Sequence, residues 1–438
     1  MWEIDGKLTD DESEVMKAFN LKYAPMVKSP LDTDQYKKSM KQAYLHQFSG
    51  DHATWDFKAR NVGDAASHEK YTAEDREEIK NQIRAYCALR YTKEELAFLG
   101  DPVSRPWIHN NFIEVERDWK PHFEDFEIED DPISGLAVHT KGVQWKISDY
   151  EIPVLEIAAE TYYRNHYDYE KLAKDFKEKT EEKLRFMREG IYAPGIFSEF
   201  GARRRVSFEL QDWLIGRLVE EKKHNAIGPI QGFIGTSNMY LAMKYGVTAV
   251  GTMAHEFFET MQGHREYNIA YTNKVALDAW IKEYGVLNGI ALTDTLGLDV
   301  FLRDFRKTYS ILFSGVRHDS GDPFKWGDKM IEHYKKLGIN PLDKTLLFSD
   351  GLDFKKATAI NKYFKGKAKV SFGIGTYLSG PQGIEPLNIV CKVVLVNGGD
   401  VVKLSDSPGK CMCRNPEYID YAKRAIKWRL EHEELANY

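Results

Sequence analysis

Between Gly232 and Thr376 one local pattern recurs six times: a short apolar run, a polar cluster, then a segment with the periodicity of an amphipathic helix. Few architectures accommodate that rhythm, because each strand must pair in parallel with its neighbours through right-handed crossovers. The runs are Gly232-Phe233-Ile234, Val247 to Val250, Gly289 to Leu292, Gly315-Val316, Thr345 to Phe348 and Val370-Ser371-Phe372. In order, they end at Gly235-Thr236-Ser237, Gly251-Thr252-Met253-Ala254-His255-Glu256, Thr293-Asp294-Thr295, Arg317-His318-Asp319-Ser320-Gly321, Ser349-Asp350-Gly351 and Gly373-Ile374-Gly375-Thr376. Polar residues close every strand rather than one switch point, which favours a complete or partial βα-barrel over an open doubly wound sheet. In a barrel those ends converge on one mouth.

The flanks read differently. Leu31-Asp32-Thr33-Asp34-Gln35-Tyr36 opens a helix that Thr33 or Asp34 can cap, with Met40, Ala43, Tyr44 and Phe48 at helical spacing. Before it, residues 1–30 carry a short amphipathic stretch (Val15, Phe19, Leu21) and are expected on the surface. Residues 55–150 mix helical pieces such as Ala73 to Leu89 with a strand-like run, Gly135 to Ile147. A long helical stretch, Val154 to Glu189, precedes the repeats. After them, Asn388 to Val396 and Asp400 to Leu404 flank Asn397-Gly398-Gly399 as a β-hairpin, and Pro416 to Leu435 is helical. The expected division is an α+β domain over residues 1–150, joined by residues 391–438, and a barrel domain over residues 151–390.

Composition excludes several classes. No apolar run approaches the ~18 residues of a membrane-spanning helix, and the polar, acidic start is unlike a secretory signal. A net charge of −6 gives no global basic field for nucleic acid or an anionic membrane, though a local anion pocket remains compatible with it. Cys87, Cys391, Cys411 and Cys413 form no CxxC pair, so reduced thiols and a cytoplasmic address are expected.

Each strand-end residue carries a chemical and a structural reading. Gly373, Gly375 and Thr376 would let backbone amides and a hydroxyl approach a phosphate, and Ser349-Asp350-Gly351 would do the same at a helix start; glycines that merely turn the chain are the alternative. His255 is a candidate phosphoryl acceptor, with the adjacent Glu256 able to set its tautomer, or else a helix cap. His318, between Arg317 and Asp319, is the other candidate histidine. Arg203-Arg204-Arg205 would neutralise a diphosphate or form a solvated charged face. Asp319, Ser320 and Asp322 would hold ribose hydroxyls or a magnesium-bound diphosphate, although Asp322 equally suits a helix cap. Lys403, Ser405, Asp406, Ser407 and Lys410 lie on a loop that is either anion-binding or plain surface.

As an ordered set these motifs resemble the nicotinate phosphoribosyltransferase family, bacterial or fungal type. The set runs Leu31 to Lys37, Glu199 to Arg205, Gly235 to Asn238, Gly251 to Glu256, Arg317 to Asp322, Phe348 to Asp350, Phe372 to Thr376 and Leu404 to Lys410. Ala202, where the family often has threonine, and an extended segment before Leu31 are the departures. The resemblance implies a partial βα-barrel of the type II phosphoribosyltransferase kind with an additional α+β domain. It implies that His255 is phosphorylated by ATP, a co-substrate. Tyr36 and Arg317 would hold nicotinate beside Thr252, while Arg203, Arg204, Asp319, Ser320, Gly351, Gly373, Gly375 and Thr376 would hold phosphoribosyl diphosphate. Magnesium would accompany phosphoribosyl diphosphate and ATP, with its protein ligands unassigned. Partners would be small molecules, not nucleic acid or membrane, and a homodimer stays open because relatives often complete the site across an interface. A transferase for nicotinamide or quinolinate is the nearest rival, followed by a non-catalytic nucleotide sensor. A Schiff-base aldolase is disfavoured by the lack of lysine in the strand-end clusters.

Overall fold

A computed structural model describes residues 1–64, 66–406, 411 and 413–433. It opens with an antiparallel hairpin, β1 (Trp2–Ile4) and β2 (Lys7–Thr9), and a helix Glu12–Phe19 that Asp11 caps by accepting from Ser13 N at 2.9 Å. The surface expectation for residues 1–30 is corrected here. Val15, Leu21, Met26 and Val27 are buried, because the apolar stripe of Glu12–Phe19 packs on the helix Ala73–Cys87.

Strands β3 (His52–Ala59), β4 (Phe126–Glu129) and β5 (Ala137–Val143) form one antiparallel sheet. The helical stretch expected as one piece is two helices, Glu151–His166 and Tyr169–Arg188. Asp168 starts the second by accepting from Lys171 N at 3.0 Å.

Seven parallel strands then follow: β6 (Ile196–Glu199), β7 (Phe233–Thr236), β8 (Thr248–Ala249), β9 (Ile290–Leu292), β10 (Gly315–His318), β11 (Thr345–Phe348) and β12 (Lys369–Ile374). Their order is β8-β7-β6-β12-β11-β10-β9, so each strand except β8 neighbours its successor in the chain and β12 closes on β6. Only the step from β8 to β9 is unpaired, which makes the sheet a curled partial barrel. Across that seam Thr252 Oγ1 donates to Ile290 O at 2.8 Å. The helix Gln35–Gln47 ties both edges: Gln35 N donates to Ser237 O at 2.8 Å, while Asn288 Nδ2 donates to Ser39 Oγ at 2.9 Å.

The strand β6, between β7 and β12, lies outside the six-fold repeat. Its last residues, Ser198 and Glu199, are polar yet buried, so the run does not look apolar. Glu199 is satisfied by Thr236 Oγ1 at 2.6 Å, Gly201 N at 2.6 Å and Ser379 Oγ at 2.5 Å. Finally β13 (Ile389–Val396) turns into β14 (Gly399–Asp400), and β13 pairs antiparallel with β3. Segments from before and after the barrel thus share the sheet β14-β13-β3-β5-β4. Among the described residues no helix is long and apolar enough to cross a membrane.

Candidate active site

His255 begins the helix His255–Gln262 directly after the β8 loop, and its ring is buried. Its carboxylate partner is not the adjacent Glu256 but Asp294, from the end of β9, with Nε2 to Oδ1 at 2.9 Å. Successive residues at a helix start point in different directions, and Glu256 turns away to the Lys37 ammonium. Asp319, beyond β10, places Oδ2 3.7 Å from the same imidazole nitrogen. Lys403 lies 3.3 Å from Asp294 Oδ2, and Ser320 Oγ donates to that oxygen at 2.6 Å.

Arg317 closes the group from within β10. Its Nε donates to Ser349 Oγ at 2.8 Å and its Nη2 lies 3.1 Å from Asp319 Oδ1. Burial, then the Lys403 charge, lowers the His255 imidazole to about 4 against the pull of Asp294, so the ring is neutral at neutral pH. Burial alone would raise the Asp319 carboxyl. Arg317, Lys403 and His255 outweigh it and hold that group well below the usual carboxylate range.

A crescent of cations faces this cluster. Arg203 lies 3.7 Å from Glu151 and has Tyr36, Asp34 and Asp319 among its electrostatic neighbours. Burial, then Arg203 and Arg60, push Arg204 down to about 10. On β13, burial lowers the Lys392 ammonium, with Glu259 opposing it and Lys403 and Arg203 adding like charge. Crowded cations at a barrel mouth suit an anion of several charges. Behind them runs a buried chain in which Lys37 sits 2.5 Å from Glu151 and also bonds Glu256. It joins the helix of Tyr36 to the helix of His255. Tyr36 itself is buried, its backbone pressed so close to Gly251 that a side chain there would meet Tyr36 N at 3.0 Å.

The chain matches the nicotinate phosphoribosyltransferase (NAPRTase) family over residues 196–429 and that family's N-terminal domain over residues 31–159. It is 38% identical over 419 residues to the nicotinate phosphoribosyltransferase of Chromobacterium violaceum, covering 93% of this chain and 98% of that one. The enzyme of the same name from Acinetobacter baylyi is 37% identical over 421 residues, with coverage of 93% and 98%. Among solved structures, nicotinate phosphoribosyltransferase from Porphyromonas gingivalis superposes with a TM-score of 0.80 at 34% identity, over 91% of this chain and 99% of that chain. The Vibrio cholerae protein gives 0.82 at 32% identity, over 92% and 94%. This chain belongs to the nicotinate phosphoribosyltransferase family.

Against that family membership the expected residues separate into groups. His255, Arg317, Asp319 and Ser320 meet in one cluster, and Arg203, Arg204 and Tyr36 line its flank. Gly351 and Thr376 stand on the same rim at the ends of β11 and β12. Gly373 is a ladder residue paired with Ser198, and a Cβ there would fall 2.2 Å from the Phe200 ring. Thr252 uses its hydroxyl on the barrel seam. Three expectations are corrected. His318 packs between Trp326 and Phe348, with ring centroids at 5.2 and 5.7 Å, so it is a core residue. Arg205 is buried on Asp32, with Nη1 to Oδ1 at 2.7 Å, and braces the fold. The helix after β11 starts at Asp353, which accepts from Lys356 N at 2.6 Å, not at Ser349-Asp350-Gly351. Asp322 takes the capping reading, accepting from Phe324 N at 2.9 Å and Lys325 N at 3.0 Å.

Sequence reasoning missed Asp294, Lys392 and Arg60 as site residues, and it left Lys403 on an undecided loop. Lys392 gave a visible signal, a lone cation inside the apolar run Ile389-Val-Cys-Lys-Val-Val-Leu-Val396. Lysine was absent from the strand-end clusters in sequence, yet Lys403 reaches them from the hairpin. Asp406 also docks there, its backbone N–H donating to Ser320 Oγ at 3.1 Å. Ser407 and Lys410 lie outside the described residues.

Proposed function

We propose that this chain is an ATP-assisted nicotinate phosphoribosyltransferase of cytoplasmic NAD salvage, making nicotinate mononucleotide and diphosphate from nicotinate and phosphoribosyl diphosphate. The observation that carries the ATP coupling is the 2.9 Å contact between His255 Nε2 and Asp294. A proton on Nε2 donated to Asp294 leaves the lone pair on Nδ1, and the neutral ring is a nucleophile. Attack by Nδ1 on the terminal phosphorus of ATP would form the N–P bond as the bond to ADP breaks. Phosphorylation would bring about −1.5 to −2 charges to the mouth. Lys403, Arg317 and Arg203 are the cations that would answer them.

In the transfer step the pyridine nitrogen attacks the anomeric carbon as the bond to diphosphate breaks. No base is needed, because the nucleophile is already a lone pair. The residues therefore align the partners and stabilise leaving-group charge. Arg317 supports a carboxylate-bearing ring, and the Arg203, Arg204 and Lys392 crescent supports the diphosphate. Asp294 and Asp319 supply hard oxygen donors next to each other, the type that would hold magnesium, which neutralises polyphosphate charge when bound.

The test offers nicotinate, nicotinamide and quinolinate side by side with phosphoribosyl diphosphate, with and without ATP. Nicotinate should be the preferred substrate, stimulated by ATP, and terminally labelled ATP should leave an acid-labile phosphoryl group on wild type but not on His255→Ala. Equal turnover of another pyridine would overturn the substrate assignment. Unchanged ATP stimulation in the variant would overturn the phosphohistidine.

A further inference from the structure

About 15 Å along the helix Gln35–Gln47 from Tyr36, at 1.5 Å per residue, lies a second group of metal-ligating side chains. His46, in the last turn, places Nδ1 2.6 Å from Glu283 Oε1. His109, the residue that begins the helix Asn110–Asp118, places its Nδ1 3.8 Å from the same oxygen. The two imidazoles stack with centroids 5.4 Å apart and planes 22° apart. All three ligand atoms lie within 4.8 Å of one another. Nothing in the transferase chemistry uses them.

The carboxylate is held in a defined orientation. Glu283 is 5% exposed at its side chain, and it accepts from Gln42 Nε2 at 2.9 Å on Oε1 and from Gln47 Nε2 at 3.2 Å on Oε2. Gln42 also fixes the His109 segment, accepting from His109 N at 2.8 Å. Orientation of a ligand by outer hydrogen bonds is the usual support of a metal site. Two imidazoles and one carboxylate suit zinc and its neighbours, whereas calcium and magnesium prefer oxygen throughout. Bonds of about 2.0–2.1 Å in tetrahedral geometry set donors about 3.3 Å apart. The 2.6 and 3.8 Å separations straddle that value, and His109, with 47% of its side chain exposed, has freedom to adjust.

We infer that His46, His109 and Glu283 bind a divalent transition-metal ion of the zinc class that staples three segments distant in sequence. The ion takes three protein ligands and leaves an outward position for water. It lies at the far end of the helix from Tyr36 and would tie that helix to the segments of His109 and Glu283.

The full-length chain, stripped with chelator and dialysed, is titrated with Zn²⁺ against a chromophoric chelator and with Co²⁺ by visible spectroscopy. Wild type should bind one equivalent more than His109→Ala, and its Co²⁺ complex should show intense ligand-field bands that His109→Ala lacks and His255→Ala retains. Gln47→Ala, which removes only an outer hydrogen bond, should weaken Zn²⁺ by roughly 10-fold. Zn²⁺ should raise the melting temperature of wild type but not of His109→Ala. Equal stoichiometry and affinity in wild type and His109→Ala, or bands that vanish with His255 instead, would overturn the site and leave His46 and Glu283 as a hydrogen-bonded pair.

Discussion

Two clusters of buried charge lie on either side of the helix Gln35–Gln47, and they differ in balance. In the first, Lys38 contacts Glu116 at 3.0 Å and Asp149 at 2.6 Å, while Lys41 contacts the same carboxylates at 2.5 and 2.8 Å. Two cations meet two anions, all four are buried, and the Trp119 ring covers Lys41 at 3.4 Å. In the second, at the barrel mouth, Lys392 and Arg204 stand within ion-pair distance of no carboxylate among the described residues, and cations crowd one another. A balanced quartet has nothing left to bind and serves the fold. Unbalanced positive charge in a cleft is a standing attraction for an anion.

The comparison breaks most sharply at Arg317. Arg317→Ala should cost roughly 3 kcal/mol in transition-state binding, more than 100-fold in kcat/KM for nicotinate measured on the folded fraction. A small effect in steady-state kinetics would mean that another cation holds the ring carboxylate. Lys38→Met tests the opposite pole. It should destabilise the protein by about 3–5 kcal/mol in urea unfolding, because Glu116 and Asp149 would be left sharing one cation, while kcat of the folded fraction stays as in wild type. Lys392→Met sharpens the contrast: KM for phosphoribosyl diphosphate should rise about 10-fold, from loss of one charge-assisted contact, with stability unchanged or higher. The smallest effect concerns protons. Because the His255 imidazole falls from 6.5 to about 4 on folding, its contribution to stability is full above pH 6.5 and fades as the pH drops toward 4. Its ring resonances should therefore not titrate between pH 6 and 8, and a midpoint near 6.5 by NMR would refute the buried, neutral ring.

Legibility in the sequence followed the range of the interaction. Helix caps such as Asp322 and the strand-helix rhythm depend on residues a few positions apart, and the chain displays them directly. The strand β6 did not show, because its inward Glu199 is satisfied by Thr236 and Ser379, which are neighbours only after folding. The partner of His255 was misjudged for the same reason. Glu256 is adjacent in sequence, whereas Asp294 is adjacent across the seam between β8 and β9.

By itself, then, the sequence determined a run of parallel βα units, the polar rim at their ends and an ordered motif set belonging to one transferase family. Tertiary structure alone decided that β12 closes on β6, that β13 returns beside β3, and that Lys392 on β13 and Lys403 just after β14 arrive at the rim. The reason is physical: periodicity and capping are written by covalent neighbours, but the sign and balance of a buried field depend on which distant side chains sheet register brings together.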